Sequence, residues 1–292
     1  MIIYQKAKSL LIKANSQYDV FGHDYYFNIY RGCSHRCIYC DSRASVYRVK
    51  NFDTEVIVKE NCVELLDQEL ARKRERSVIG ISGAMCDVYM PIERELKYTR
   101  KVLEVIERHK FAVQIHTKSD LVLRDLDLIK EINSNANANV LFTITAFDDN
   151  LSRRLEPGAP STSRRLHALK QLSDEGITTG VAIMPVLPFI TDDEINIRNI
   201  IRTAKRYGAS YVLFSPGVTL RENQREYFLD KLKHINYHLR ERYIKRYGNS
   251  YACSTDNKKD LFELYYNECR ELGLATKTPH FRFHKPEQLS LF

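Results

Sequence analysis

Asn28-Ile29-Tyr30-Arg31-Gly32-Cys33-Ser34-His35-Arg36-Cys37-Ile38-Tyr39-Cys40 gathers three of the chain's seven cysteines into eight positions, with the spacing C-x3-C-x2-C. A protein [4Fe-4S] cluster ordinarily takes four thiolates. A trio with no fourth cysteine nearby therefore leaves one iron open to a ligand from outside the protein. Zinc is the competing reading, but its structural sites usually show two separated ligand pairs, and no second C-x2-C or H-x3-H follows here. His35, between two of the cysteines, reads as a residue that shapes the loop rather than a ligand. Cys62, Cys253 and Cys269 are scattered, so a second cluster has no spacing to support it.

Outward from this loop, residues 25–30 are aromatic and β-favouring and read as a strand, with the cysteines following its C-terminal end. Strand-like runs then start at Ser77, Phe111, Val140, Thr178 and Ser210, separated by helical periodicity over 60–74, 91–109, 124–134, 161–175 and 191–207. Leu96, Val102, Leu103, Val105 and Ile106 make the inward stripe of the second helix, which Pro91 opens. Ser161 is placed to cap one helix and Gly176 to end it, and Thr191-Asp192-Asp193-Glu194 reads as a capping box. Pro185 and Pro188 are expected to stop the fifth strand. Six β/α units predict an α/β fold with a parallel sheet and helices outside. The division expected is an irregular N-terminal segment (1–24), a core (25–216), and a helical C-terminal extension (217–292) with a charged, tyrosine-rich helix or helix pair over 221–246 and an aromatic-basic tail.

The bulk properties fit a globular protein. Lys and Arg outnumber Asp and Glu by 45 to 37, for a formal charge of +8, which favours a polyanionic partner without requiring one. Tyr237, Tyr243, Tyr247, Tyr251, Tyr265 and Tyr266 occur with Arg240, Arg242, Lys245 and Arg246, a mix that could stack and neutralise a nucleic acid but at helical spacing more often makes a core stripe with a solvated face. No apolar stretch approaches the eighteen residues needed to span a bilayer, and a cytoplasmic, reducing setting that keeps the cysteines available for metal is expected.

With Tyr39 before its last cysteine, the C-x3-C-x2-C loop resembles the signature of the radical S-adenosylmethionine (SAM) superfamily. The resemblance implies a [4Fe-4S] cluster on Cys33, Cys37 and Cys40, with SAM chelating the open iron and splitting to a 5′-deoxyadenosyl radical. It also implies an open, partial (β/α)6 TIM-like barrel and an external electron donor of flavodoxin or ferredoxin type.

Further stretches resemble one branch, the spore photoproduct lyase and DNA repair photolyase-like family. They are Gly83-Ala84-Met85-Cys86-Asp87, Thr117-Lys118-Ser119, Thr143-Ile144-Thr145, and Arg154-Leu155-Glu156-Pro157-Gly158-Ala159-Pro160-Ser161 followed by Arg164-Arg165-Leu166; Gln288-Leu289-Ser290-Leu291-Phe292 resembles endings among the relatives. Carried over, Lys118 would meet the SAM carboxylate, Thr143 its methionyl part or ribose, and Tyr39 the adenine through its backbone. Arg164 or Arg165 would reach SAM or hold Glu156. DNA is the candidate partner that this branch implies.

Two departures stand out. Ala84 occupies the place of the family's hydrogen-donating cysteine. Cys86, two residues on, is a candidate substitute on the same face of an extended segment, or else a small buried hydrophobe. Asp41 stands where the lyase has a tyrosine after the last cluster cysteine, which breaks the lyase's radical relay. Three readings remain: a lyase-like enzyme acting on DNA, a radical SAM enzyme acting on a peptide or small molecule, and a nucleic-acid-binding module with a structural metal.

Overall fold

The computed structural model describes residues 1–15, 20–81, 85–279 and 281. The chain opens with β1 (Ile2–Gln5), β2 (Ile12–Lys13), β3 (Tyr25–Phe27) and β4 (Tyr30–Arg31). After the cysteine loop and two short 3-10 turns come β5 (Val56–Lys59) and α1 (Cys62–Ala71), then β6 (Val78–Ile81), α2 (Glu93–Leu96), α3 (Tyr98–Arg108) and β7 (Ala112–Thr117). A 3-10 turn leads into α4 (Leu126–Asn135), followed by β8 (Ala138–Thr143), α5 (Asp149–Leu155), α6 (Thr162–Asp174), β9 (Thr178–Val186), α7 (Glu194–Arg206) and β10 (Tyr211–Thr219). The chain continues through α8 (Gln224–Leu232), α9 (Leu239–Tyr247), β11 (Ala252–Ser254) and α10 (Lys258–Glu271).

Among the described residues, the main sheet has the order β11-β10-β9-β8-β7-β6-β3-β2. Its six central strands, β3, β6, β7, β8, β9 and β10, run parallel, while β2 and β11 pair antiparallel at the two edges. A parallel strand covered on both faces reads as continuous apolar sequence, and β6 and β8 are buried at every position. Tyr211 of β10 reaches over β9 to donate to Asn139 Oδ1 of β8 at 3.1 Å, and Gly180 makes room for it: a Cβ there would sit 2.3 Å from the tyrosine ring. This is a mixed α/β fold with a largely parallel sheet, consistent with the partial barrel.

Several local expectations are corrected by tertiary contacts. Residues 1–24 are not wholly irregular, because β1 pairs with β5 and β2 with β3. The strand expected over 25–30 is two strands in different sheets, with β4 leaving to pair with β5. The helix expected over 91–109 breaks at Lys97, which is left-handed (φ 53°). Buried Glu93 then accepts the Thr99 amide at 2.9 Å and also receives Tyr30 Oη. No capping box forms at 191–194. Asp193 caps α7 by accepting from the Asn196 amide at 2.8 Å, and Thr191 instead accepts from the Leu187 amide. β9 runs through Pro185 rather than stopping there, and β10 runs through Pro216 at a bulge, where no ladder N–H is required. The helix pair expected over 221–246 is α8 and α9, but the C-terminal region also contributes strand β11. Gly83, Ala84 and the ending 288–292 lie outside the described residues.

Candidate active site

The cysteine loop needs close backbone approaches to keep its shape. Gly32 is left-handed (φ 84°), and a Cβ there would meet Glu55 O at 2.2 Å. The turn 156–160 packs onto the loop from the other side. A Cβ on Gly158 would meet Ser34 O at 2.1 Å, the Gly158 amide donates to His35 O at 2.9 Å, and His35 Nδ1 lies 3.0 Å from Gly158 O. The Ile38 amide donates to Leu155 O at 2.9 Å. The Glu-Pro-Gly turn is therefore a brace for the loop, which gives His35 its shaping role.

Cys33 and Cys37 are buried, Cys40 is half-buried, and all three are free thiols. With Cys86, Asp87, His116, Lys118 and Thr143 they line a cavity of about 110 Å³. The cysteines come from the loop after β4, Cys86 and Asp87 follow β6, His116 and Thr143 lie in the last positions of β7 and β8, and Lys118 follows β7, where the parallel sheet gathers its C-terminal ends. Among the described residues no three His, Cys, Asp or Glu side chains converge to hold one metal ion. Cysteines spread over a cavity wall suit a polynuclear cluster with one thiolate per iron.

Charge around the cavity is organised in two buried clusters. Asp87 accepts from Thr117 Oγ1 (2.7 Å) and from the amides of Lys118 (2.6 Å) and Tyr89 (2.9 Å), with His35 Nε2 3.3 Å away. Burial alone would raise its pKa, but His35 and these donors outweigh it and hold the carboxyl well below the usual carboxylate range. In the second cluster, Arg165 pairs with Glu156, and Glu156 accepts from Tyr39 Oη, which also shares a 3.2 Å hydrogen bond with Thr145. Arg165 further donates to Pro160 O (2.9 Å) and Thr143 O (3.0 Å), tying the brace to the end of β8. Burial would raise the Glu156 pKa, but Arg165 and then Lys118 reverse the shift.

Lys118 places its ammonium 5.9 Å from the Tyr39 ring centroid. Burial would lower its pKa, yet its place beside Cys37 and the Glu156 carboxylate outweighs that and keeps it a cation. His116, two residues earlier on β7, shares a 2.7 Å hydrogen bond with Thr143 Oγ1; burial and Lys118 push its pKa down to about 4, so it is neutral. Burial pushes the Cys86 thiol up to about 12, leaving a neutral S–H. The Tyr39 carbonyl accepts from Gln224 Nε2 at 3.1 Å, across 185 residues, and retains a second lone pair.

Of the two candidate arginines, Arg165 is buried against Glu156, whereas Arg164 is 59% exposed and pairs with Asp120 at the surface, away from the cavity. Sequence reasoning passed over His116 and Gln224. Period-two alternation from Lys118 would have put His116 on the same strand face, but nothing local marks Gln224. Asp41 lies at the rim, held by Arg221 Nε at 3.0 Å and Tyr47 Oη at 3.2 Å.

The sequence model of the family described as "Radical SAM superfamily" matches residues 27–198, more than half of the chain and all of this site up to Arg165. The chain belongs to the radical SAM superfamily. Its cofactors are accordingly a [4Fe-4S] cluster and SAM, and the three thiols, the lysine and the hydroxyl that line one cavity suit that pair. An uncharacterised protein of Methanocaldococcus jannaschii is 38% identical over 175 residues, which are 59% of this chain and 64% of that relative, so the chain covers just under two thirds of its length. An uncharacterised protein of Mycobacterium tuberculosis H37Rv is 30% identical over 228 residues, 76% of this chain and 67% of the relative. Among solved structures, spore photoproduct lyase complexed with dinucleoside spore photoproduct superposes with a TM-score of 0.69 over 94% of this chain and 81% of that one; at 17% identity the likeness is one of fold. Among the described residues, no helix is long and apolar enough to cross a membrane.

Proposed function

We propose that the chain is a radical SAM enzyme that directs hydrogen abstraction at a nucleic-acid substrate, DNA foremost, in a lyase-like repair reaction. The observation that carries the enzymatic part is the cavity itself: three free cysteines, a cationic lysine and a neutral histidine–threonine pair converge at the ends of three parallel strands. When bound, the cluster and SAM supply a 5′-deoxyadenosyl radical, formed with one electron from a flavodoxin- or ferredoxin-type donor. Cys33, Cys37 and Cys40 would hold three irons. Lys118 would face the SAM carboxylate, Thr143 the methionyl part or ribose, and the Tyr39 backbone the adenine. Arg165 acts at one remove, by holding Glu156 and through it Tyr39. The neutral Cys86 thiol on the same cavity wall is the candidate to return a hydrogen atom to the substrate radical. A DNA substrate is supported by the net charge of +8, and by a fold shared with a lyase whose structure contains a dinucleoside photoproduct.

A second reading rests on Asp41. An ion pair with Arg221 stands where the lyase has a tyrosine, so this chain does not repeat the lyase's relay, and a peptide or small-molecule substrate fits that change. Anaerobic reconstitution followed by SAM, reductant and UV-irradiated DNA tests the proposal. About four irons and four sulfides per chain, 5′-deoxyadenosine and a repaired base are expected. Cys37→Ala abolishes reductive SAM cleavage. Full retention in that variant, or one zinc and no iron in the wild type, overturns the enzyme; no salt-dependent DNA binding favours the second reading.

A further inference from the structure

Among the described residues the parallel sheet does not close on itself, and the gap is furnished. Along β10, Tyr211 bridges to Ala275 and Gly217–Thr219 pair with β11; between these contacts the outer edge has no strand partner among the described residues. A cavity of about 370 Å³ fills that stretch, within the size range of small-molecule sites. Its lining comes from both margins of the sheet: Leu213 and Phe214 from β10, and Val20 and Gly22 from the segment that leads into β3. Thr278 Oγ1 donates to Val20 O at 2.8 Å, stitching the margins together beside the cavity.

The remaining wall is aromatic. Phe214 stacks on Tyr265 (centroids 4.8 Å, 15°) and Phe262 on Tyr266 (6.0 Å, 19°). Packing of α10 against β10 accounts for Phe214 and Tyr265, which are half-buried and buried. It does not account for Tyr266, which lines the cavity with 53% of its surface exposed, nor for Lys277, exposed on the same lip. The cavity also adjoins the chemistry. Phe21, between Val20 and Gly22, packs against the cluster that contains Leu213, and its ring centroid lies 5.1 Å from that of His116 on the cysteine cavity wall. Phe21 thus stands between seam and cysteine cavity.

We propose that this seam is a binding site for a nucleobase of the substrate strand, stacked on Tyr266 with Lys277 beside the phosphate, next to the base that faces the cysteine cavity. A flat, exposed ring with a cation beside it takes any base by its π-face, and a chain of charge +8 supplies the attraction for the backbone. The proposal rests on the nucleic-acid reading above and adds where the strand docks.

The chain contains no tryptophan, so Tyr266→Trp creates a single reporter that keeps the aromatic platform. In the reconstituted protein, a ten-residue oligothymidylate is expected to quench its emission, whereas a tyrosine-containing tripeptide leaves it unchanged. Tyr266→Ala is expected to weaken binding of fluorescein-labelled oligothymidylate roughly 5- to 150-fold, the range of base–aromatic stacking, with the log–log salt slope unchanged because no phosphate contact is lost. SAM cleavage without substrate stays at the wild-type rate in both variants and certifies the fold. If the wild type binds the oligonucleotide but the reporter is silent or Tyr266→Ala binds equally well, the seam assignment falls and the nucleic-acid reading stands. If the wild type does not bind at all, that reading falls with it; quenching by the peptide alone assigns the seam to another substrate class and overturns the proposal.

Discussion

Two carboxylate–guanidinium pairs attend the end of the cysteine loop, and they differ in their surroundings. Glu156 and Arg165 are 1% and 0% exposed, and every contact around them leads to the site: Tyr39 in the loop, Thr143 O at the end of β8, and Pro160 O in the brace. Asp41 and Arg221 are 27% and 40% exposed, beside a groove of about 510 Å³. In the first pair two charges have left water and depend on each other. In the second, water competes with the partner and salt screens what remains. The buried pair therefore holds the loop in shape, and the rim pair is free to vary with what the mouth has to receive.

The largest effect should come from breaking the buried pair on one side. Arg165→Met strands a buried carboxylate, and the urea unfolding free energy should fall by about 3–5 kcal/mol. A loss as small as a surface substitution produces would mean that water reaches Glu156 and that the contrast between the pairs is false. The same pair fixes a pH dependence. Glu156 has its folded pKa lowered below the ordinary 4.5, so its contribution is present above that value. As pH falls through the ordinary value the unfolded chain takes up the proton first, and the contribution is lost on the way down to the folded pKa. Wild-type stability should decline over this acid window, and Arg165→Met should remove that part of the decline.

Next in size is Lys118→Met, which removes a cation from the cavity and its long-range support of Glu156 while leaving the partners of both pairs in place. If Lys118 meets the SAM carboxylate, the loss of a charged hydrogen bond of about 1.5–3 kcal/mol weakens SAM binding roughly 10- to 150-fold in equilibrium dialysis. Iron content should stay at the wild-type level. Unchanged SAM affinity would take Lys118 out of the binding role.

The contrast between the pairs also describes what a linear sequence can disclose. The cysteine spacing and the succession of parallel strands were legible because each is local, or repeats with the period of its element, whereas Lys118 and Thr143 were singled out by the family resemblance of the stretches that hold them. The proximity of Glu156 to Arg165 was legible as one of two options, since nine residues and a helix start separate them; burial then decides between Arg164 and Arg165. What stayed hidden is carried by contacts far apart in the chain. β1 on β5, Gln224 on the Tyr39 carbonyl and Arg221 on Asp41 leave no mark in local propensity. The break at Lys97 has the same origin, because Tyr30, 63 residues away, holds Glu93; at Thr191 the competitor is local, the Leu187 amide four residues back, which takes the hydroxyl from the cap.

The smallest expected effect on stability belongs to the rim, and there the informative readout is binding. Asp41→Asn should leave the urea midpoint and the iron content unchanged, because Asp41 supports no buried group and Arg221 stays solvated. It does remove one negative charge from the mouth and frees a guanidinium that now spends its Nε on Asp41. If a nucleic acid passes this rim, Arg221 becomes available to a phosphate. The log–log salt dependence of oligonucleotide binding should then steepen by about 0.7–0.9, the increment for one added phosphate contact. Arg221→Met in the Asp41→Asn background should restore the original slope. A slope that Asp41→Asn leaves unchanged would put the strand elsewhere, and the ion pair would then be a feature of a mouth built for a different substrate.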